Sequence, residues 1–298
     1  MTRTPVVVAA WVVVVAASTL PRVILQELLR VEVTDDLRAA LSASVIALAL
    51  VVVAVWTRLR PLAPFLVVFG VLVGAEWLVF QVIDQAPAYR RWLADPSFNS
   101  YMLAEQSLRL MVTCAVIAAL VILRGRPSRS FLAVGDLHAP MRPVRWLGVK
   151  QGTRWSRFGP VAAVCLSGGT LVFLLAAGRL TLDLVVLAAP FLPAVFLAAA
   201  LNAFNEEVTY KASLLSVLEG SVGPGQALWM VSAYFGIGHY YGVPYGLIGV
   251  GMAFFLGWLL GRSMLETRGL FWAWFIHFWQ DVLIFSFLAI GSITPGGG

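Results

Sequence analysis

Long uninterrupted runs of apolar residues, separated by short polar turns, dominate the pattern along this chain. Most runs are long enough to cross about 30 Å of hydrocarbon as a helix of about 20 residues. A backbone inside lipid must satisfy its own hydrogen bonds, so each run predicts an α-helix. The pattern therefore predicts an all-α, polytopic membrane helix bundle with eight or nine transmembrane helices. The runs lie near residues 5–20, 41–57, 62–83, 108–124, 158–178, 193–219, 225–242, 245–261 and 269–290.

The start of the chain allows two interpretations. The run at residues 5–20 reads as a retained first helix, with a cleaved signal peptide as the alternative. Residues 21–40 mix Leu, Ile and Val with Glu27, Arg30 and Glu32, which predicts an amphipathic helix at the membrane interface.

Composition supports the membrane assignment. Hydrophobic residues make up 60% of the 298 positions and charged residues 12%, whereas a soluble domain carries about 25% charge. The two cysteines, Cys114 and Cys165, lie in apolar runs with no metal-ligand spacing. They are interpreted as small buried apolar residues.

Basic residues concentrate in one polar stretch. Residues 124–157 carry eight arginines and lysines against one acid, Asp136. Basic residues accumulate in cytoplasmic loops, so this stretch predicts a cytoplasmic amino terminus, most simply in a plasma membrane. Next to a bilayer, its charge is better explained by topology and anionic lipid than by nucleic acid, and no nucleic-acid partner is expected.

The same stretch divides the chain. Residues 1–123 form amino-terminal helices of unknown role, 124–157 a basic cytoplasmic loop, and 158–298 the predicted catalytic core in the carboxyl-terminal half. Among the early helices, Glu76 is the one acid in mid-span, and it is expected to be neutral or paired with a neighbouring helix.

Three polar clusters lie on apolar runs of the core. Ionisable groups at membrane depth cost free energy, which makes them candidates for function. At 1.5 Å per residue, all three can meet about 12–20 Å below the cytoplasmic face. The clusters are Glu206-Glu207-x-x-x-Lys211, Phe235-x-x-x-His239 and His277-x-x-x-Asp281.

The spacing within the clusters suggests different roles. Residues four apart share a helix face, so Glu207 and Lys211 are expected to form an internal ion pair. Glu206 lies off that face and is the candidate general base. Asp281, one turn from His277, can orient the imidazole or bind a water directly.

These motifs resemble those of the CAAX-protease and bacteriocin-processing (CPBP, or Abi) family of intramembrane proteases. The family pattern is EExxxR, then FxxxH, then HxxxN or HxxxD, and the likeness covers roughly residues 160–290. The resemblance implies an endopeptidase that acts on membrane-associated peptides or proteins, including prenylated CAAX proteins. It implies that Glu206 activates water, His239 positions it, and His277 with Asp281 stabilises the oxyanion.

One departure leaves an alternative open. Lys211 stands where the family has arginine, and lysine lacks the planar fork that grips a carboxylate in two places. Glu207, Lys211 and Phe235 are therefore assigned supporting roles only. The alternative is a non-catalytic membrane scaffold or bacteriocin-immunity protein on the same fold. A proton-relay transporter is disfavoured because the chain lacks repeat symmetry.

Metal dependence is also left open. Two histidines, an aspartate and a glutamate can bind zinc with one position free for water. The chain has no HExxH motif, and the resemblance favours a metal-free scheme. No cofactor is therefore expected.

Overall fold

A computed structural model describes residues 4–94, 97–177 and 182–293, and these form a bundle of α-helices. Within them no β-strand is present, and β-type pairing is limited to two isolated bridges. The helices are α1 Thr4–Ala16, α2 Leu20–Val23, α3 Asp35–Val55, α4 Ala63–Trp77, α5 Pro87–Leu93, α6 Phe98–Arg124, α7 Trp155–Ala177, α8 Leu182–Ala188, α9 Leu192–Glu206, α10 Ser213–Val222, α11 Pro224–Gly238, α12 Leu247–Thr267 and α13 Phe271–Ile293.

Seven helical segments of the described chain are long and apolar enough to cross a membrane. An eighth is obtained if α1 and Leu20–Leu28, which meet at 51°, are counted as one broken span. The all-α, polytopic bundle is thus confirmed, with seven or eight candidate spans. α11 has only 15 residues, too few to cross the hydrocarbon alone, although it was predicted as a span.

Two predicted boundaries were wrong near the amino terminus. α6 begins at Phe98, ten residues before the predicted start, and Ser97 caps it. The expected interfacial helix over 21–40 is instead a short bent helix ending at Leu28, followed by α3 from Asp35. Thr34 caps α3 by accepting a hydrogen bond from the Leu37 amide at 3.2 Å.

A buried polar seam joins α6 to the α9 helix and its continuation. Gln106 donates to the Asn202 side chain at 3.2 Å, and Thr113 donates to Asn205 Oδ1 at 2.9 Å. The Thr113 hydroxyl also lies 3.0 Å from that of Thr209. Such groups are costly in an apolar bundle unless paired, so the seam specifies how the two halves of the chain fit together.

The predicted loop 124–157 is folded against the bundle and contains only short 3-10 turns between α6 and α7. Trp155 is fully buried and donates to Glu266 on α12 at 2.9 Å. Gly135, at φ +84°, lies so close to the Gly269 backbone that a Cβ on either glycine would overlap the other. The stretch therefore caps the turn between α12 and α13.

The expectation for the cysteines was wrong. Both Cys114 and Cys165 are exposed on helix surfaces, not buried in the packed core. An apolar run does not by itself imply burial, because the outer faces of membrane-spanning helices are apolar too.

Candidate active site

The first motif lies where one long helix changes its winding. α9 begins near Pro193, continues through a π-helical turn at Glu207–Ala212, and runs on as α10 to Val222. The continuous helix was predicted and the π-turn was not. Such turns occur frequently at functional sites, because they shift side chains off the regular α-helical register.

The Glu207–Lys211 pair predicted from the spacing is present and completely buried. Lys211 Nζ donates to Glu207 Oε1 at 2.6 Å, and neither side chain has any solvent exposure. Lys211 Nζ also lies 3.4 Å from the centroid of the Phe235 ring. The phenylalanine of the second motif thus holds the ammonium of the first by a cation–π contact.

Lysine leaves one atom of this pair without a partner. Glu207 Oε2 is buried and accepts no hydrogen bond from any described residue, whereas Oε1 accepts two. A guanidinium can bind both oxygens of a carboxylate at once, and an ammonium engages them singly. The departure from the family pattern therefore has a visible structural effect.

The second bond to Glu207 comes from the third motif. His277 Nδ1 donates to Glu207 Oε1 at 2.7 Å, which fixes the imidazole ring. Asp281 Oδ2 lies 3.6 Å from His277 Nε2, beyond hydrogen-bond distance. Glu207, not Asp281, therefore accepts the hydrogen bond that orients this ring.

Glu206 faces the same imidazole from the other side. Its Oε2 lies 3.8 Å from His277 Nε2, and its Oε1 accepts a hydrogen bond from Asn202 Nδ2 at 3.3 Å. The side chain is 16% exposed, in contrast to the sealed Glu207. Adjacent acids therefore have different environments, one packed into the protein and one open to a cavity.

His239 ends α11, and its ring is held by its own helix. Nδ1 donates to the Phe235 carbonyl at 2.8 Å, and the two rings lie 4.4 Å apart. Donation from Nδ1 leaves Nε2 free to bind a water or a substrate atom.

Two polar residues beside the site were missed at the sequence level. Asn202 donates to Asp281 Oδ2 at 3.0 Å as well as to Glu206, and so bridges the two carboxyl groups. Its position four residues before Glu206 was a usable signal. Arg109, in the middle of α6, lies 3.9 Å from Glu206 Oε1, whereas the predicted span began only one residue before it.

Glu76 is paired across helices, one of the two outcomes expected for it. It accepts a hydrogen bond from the Tyr210 hydroxyl at 2.6 Å. Tyr210 lies within the π-turn, so α4 supports the site helix from the amino-terminal half.

Two cavities meet at the candidate residues. The first, here called the apolar chamber, has a volume of about 600 Å³ and contains Glu206, His239, His277 and Asp281 in its wall. The convergence of the three motifs expected from helix depth is therefore present. Most of the remaining wall is hydrophobic, including Met102, Leu166, Phe173, Met252, Phe285 and Leu288.

The second cavity, here called the polar chamber, has a volume of about 360 Å³. It shares four residues with the apolar chamber, and its own wall is rich in charged and hydroxyl groups. The shared residues are Arg109, Glu206, Phe235 and His239; the others include Arg22, Asp35, Arg38, Glu76, Tyr210 and Tyr241.

The bent segment near the amino terminus closes one side of the polar chamber. Tyr241 and Tyr245, in the loop after α11, donate to Gln26 at 3.1 Å and to Glu27 at 2.7 Å. The hydrogen bond to the Glu27 carboxylate raises the pKa of Tyr245 to about 12, because that bond is lost if the phenol ionises.

The residues considered for zinc are not arranged as a ligand set. Among the described residues, no group of three or more histidine, cysteine, aspartate and glutamate side chains has a geometry suited to a metal ion. Nδ1 of His277 is already engaged by Glu207.

Comparison with known proteins gives one finding. The family model for type II CAAX prenyl endopeptidase Rce1-like proteins matches residues 188–283, the segment that contains all three motifs. No curated protein and no solved structure matches the chain. The family identified from the motifs is thereby confirmed over this segment.

Proposed function

We propose that this protein is an intramembrane endopeptidase acting on membrane-associated peptides or proteins, because residues 188–283 match the CAAX prenyl endopeptidase family. One observation carries the proposal: Glu206 and both candidate histidines border one cavity within an apolar helix bundle. An apolar chamber of this kind suits a lipid-modified or hydrophobic peptide segment.

In the proposed reaction, Glu206 accepts a proton from a water as the water oxygen bonds to the scissile carbonyl carbon. Nε2 of His239 orients that water. His277 carries both ring protons, donating through Nδ1 to Glu207 and through Nε2 to the new oxyanion. Glu206 then returns its proton to the amide nitrogen as the C–N bond breaks, giving a carboxylic acid and an amine.

Asp281 and Asn202 act through their neighbours in this scheme. A carboxylate cannot donate to an oxyanion, so Asp281 contributes its charge beside Nε2 of His277, while Glu207 orients the ring. Asn202 holds Asp281 and Glu206 in place through its amide hydrogens.

The non-catalytic alternative was based on the presence of Lys211 where the family has arginine. The buried ion pair with Glu207 supports catalysis instead, because Lys211 still neutralises and positions the carboxylate that holds His277.

The deciding experiment compares the purified wild type with Glu206→Gln, Glu206→Ala and His239→Ala on membrane-anchored peptides. We expect Glu206→Gln to lower kcat by at least about 100-fold, because a proton acceptor is lost without a change in size. Equal cleavage by all four proteins would eliminate the protease proposal. Chelators should leave the rate unchanged, and loss of cleavage with recovery on zinc addition would contradict the metal-free scheme.

A further inference from the structure

A third cavity, here called the basic cavity, lies at the end of the bundle that carries the stretch 124–157. It has a volume of about 760 Å³ and shares no wall residue with the apolar or the polar chamber. Its wall is built from the end of α6, the basic stretch, the turn between α10 and α11, and the last turns of α12. The charged residues of this wall are Arg124, Arg142, Glu219, Arg262, Glu266 and Arg268.

Both carboxylates of the basic cavity are already occupied. Glu219 accepts hydrogen bonds from Arg268 at 3.0 and 2.8 Å, one on each oxygen. Glu266 accepts from Arg262 Nε at 2.9 Å and, on its other oxygen, from the Trp155 indole at 2.9 Å. Two of the four arginines are thereby paired, and no carboxylate of the wall is left for the other two.

Those other arginines have no acidic partner among the residues that the structure describes. Arg124 donates to the Arg129 carbonyl at 3.1 Å, and its buried Nε has no hydrogen-bond partner there. Arg142 is exposed and is bonded through its backbone, whose carbonyl accepts from Arg262 and whose amide donates to Glu266 at 3.2 Å. Four arginines against two glutamates leave the wall with two uncompensated positive charges.

The start of α11 adds a further positive end to this wall. The helix begins at Pro224, no side chain caps it, and Gly225 borders the cavity. The first amides of a helix have no partner within it, and the helix dipole favours an anion at this end. A Cβ at Gly220 or Gly225 would meet nothing within 4 Å, so the space beside these amides is open to a ligand.

An aromatic cluster indicates the depth of the cavity in the membrane. Trp146, Trp229, Phe255 and Trp258 lie in contact, with ring centroids 5.5 to 6.4 Å apart. Trp146 and Trp229 are exposed, and tryptophan concentrates at the level of the lipid headgroups. Arg262 lies four residues beyond Trp258 on α12, a rise of about 6 Å toward the polar end of the helix. The arginines are therefore expected at the level of the lipid phosphates.

We propose that the basic cavity binds the phosphate of an anionic phospholipid headgroup, with Arg124 and Arg142 as its ligands. A guanidinium binds two phosphate oxygens at once, and the uncompensated charge of the wall favours a headgroup that has no cation of its own. Arg124 ends α6, and Arg142 belongs to the stretch that is bonded to α12. The lipid would thus join these two parts of the bundle. This inference does not depend on the proposed peptidase activity.

The test titrates the full-length, detergent-solubilised protein with dioleoyl phosphatidylglycerol or dioleoyl phosphatidylcholine and measures the bound fraction by native mass spectrometry. We expect one tightly bound phosphatidylglycerol, with a Kd at least tenfold lower than that of phosphatidylcholine, whose phosphate is compensated by its own choline cation. Arg124→Gln and Arg142→Gln should each raise the Kd for phosphatidylglycerol at least fivefold. Arg145→Gln is the matched control, because it removes the same charge from the same stretch outside the cavity wall, and it should change the Kd by less than twofold.

A change of shape without a change of charge gives a second variant. Gly220→Trp fills the open part of the cavity and should weaken phosphatidylglycerol binding as strongly as Arg142→Gln does, even if Arg124→Gln folds poorly. Equal affinity for the two lipids, or equal losses in Arg145→Gln and Arg142→Gln, would overturn the proposed site. Inorganic phosphate provides the remaining comparison. If it raised the unfolding midpoint as much as phosphatidylglycerol at the same concentration, the ligand would be a free phosphate and the lipid assignment would be wrong.

Discussion

Asn202 donates hydrogen bonds to two carboxyl groups with one amide, so in the proposed mechanism it is the central positioning residue. Its Nδ2 donates to Glu206 and Asp281, while its Oδ1 accepts from Gln106. A hydrogen bond to a charged group contributes about 1.5–3 kcal/mol. Loss of this amide should therefore disturb the positions of Glu206 and Asp281 measurably.

We expect Asn202→Ala to lower kcat by about 10- to 100-fold with little change in KM, since this free energy corresponds to one to two powers of ten in rate. Steady-state kinetics on a membrane-anchored peptide measures the effect. Asn205→Ala is the control, because Asn205 is also buried on α9 but bonds only to α6. A similar loss of kcat in both variants would contradict a specific role for Asn202.

At the same scale, Lys211→Met should strongly destabilise the fold. The change leaves the buried Glu207 carboxylate without its cation, at a cost of about 3–5 kcal/mol. Thermal unfolding in detergent micelles measures the loss. The double variant Glu207→Gln/Lys211→Met should lose less than the sum of the single changes, and simple additivity would show that the ion pair contributes no coupling.

At the scale of elements, α11 is short but tightly joined to α12. A Cβ at Gly236 would lie 2.8 Å from Phe254 Cβ and 2.9 Å from the Val250 carbonyl oxygen. Close packing at this glycine holds Phe235 and His239 against the cavities, since both lie within three residues of it.

Gly236→Ala should therefore force α11 and α12 apart, with a loss of about 1–3 kcal/mol and reduced activity. Gly238→Ala, in the same helix, is the matched control, because a Cβ at that position would meet nothing within 4 Å. Thermal unfolding and peptide cleavage should separate the two variants. Equal stability and activity of the two variants would mean that α11 and α12 can move apart at Gly236 without a measurable loss.

At the scale of the whole molecule, the helices that carry the candidate site are packed against the amino-terminal helices. The polar seam and the pair of Glu76 with Tyr210 tie α4 and α6 to the helix that carries the first motif. The division into three regions stays a prediction, and the candidate site draws residues from both halves.

We expect Thr113→Val to lower the free energy of unfolding by about 1–3 kcal/mol. The change removes the hydroxyl that hydrogen-bonds to the side chains of Asn205 and Thr209 in the buried seam. The unfolding midpoint in micelles gives the measurement. Cys114→Ala alters the neighbouring, exposed position and should be neutral. A neutral Thr113→Val would show that the seam adds little to stability.

The sequence predicted the helices and the meeting of three motifs because apolar runs and four-residue spacing are local properties. It missed Arg109, since charge does not mark where a helix begins and the predicted start fell ten residues late. It also left open which carboxylate orients His277. The answer depends on how α13 is rotated relative to the π-turn, and residue spacing within one helix does not determine that rotation.

The exposed Cys165 lies in the wall of the apolar chamber, whereas Cys114 borders neither chamber. Labelling of the Cys165 thiol can therefore report whether a ligand occupies the apolar chamber. A membrane-permeant maleimide should label both thiols in the resting protein, and a tightly held substrate analogue should shield Cys165 while Cys114 keeps its rate. Ligands could then be screened by mass spectrometry on the unaltered protein without a turnover assay.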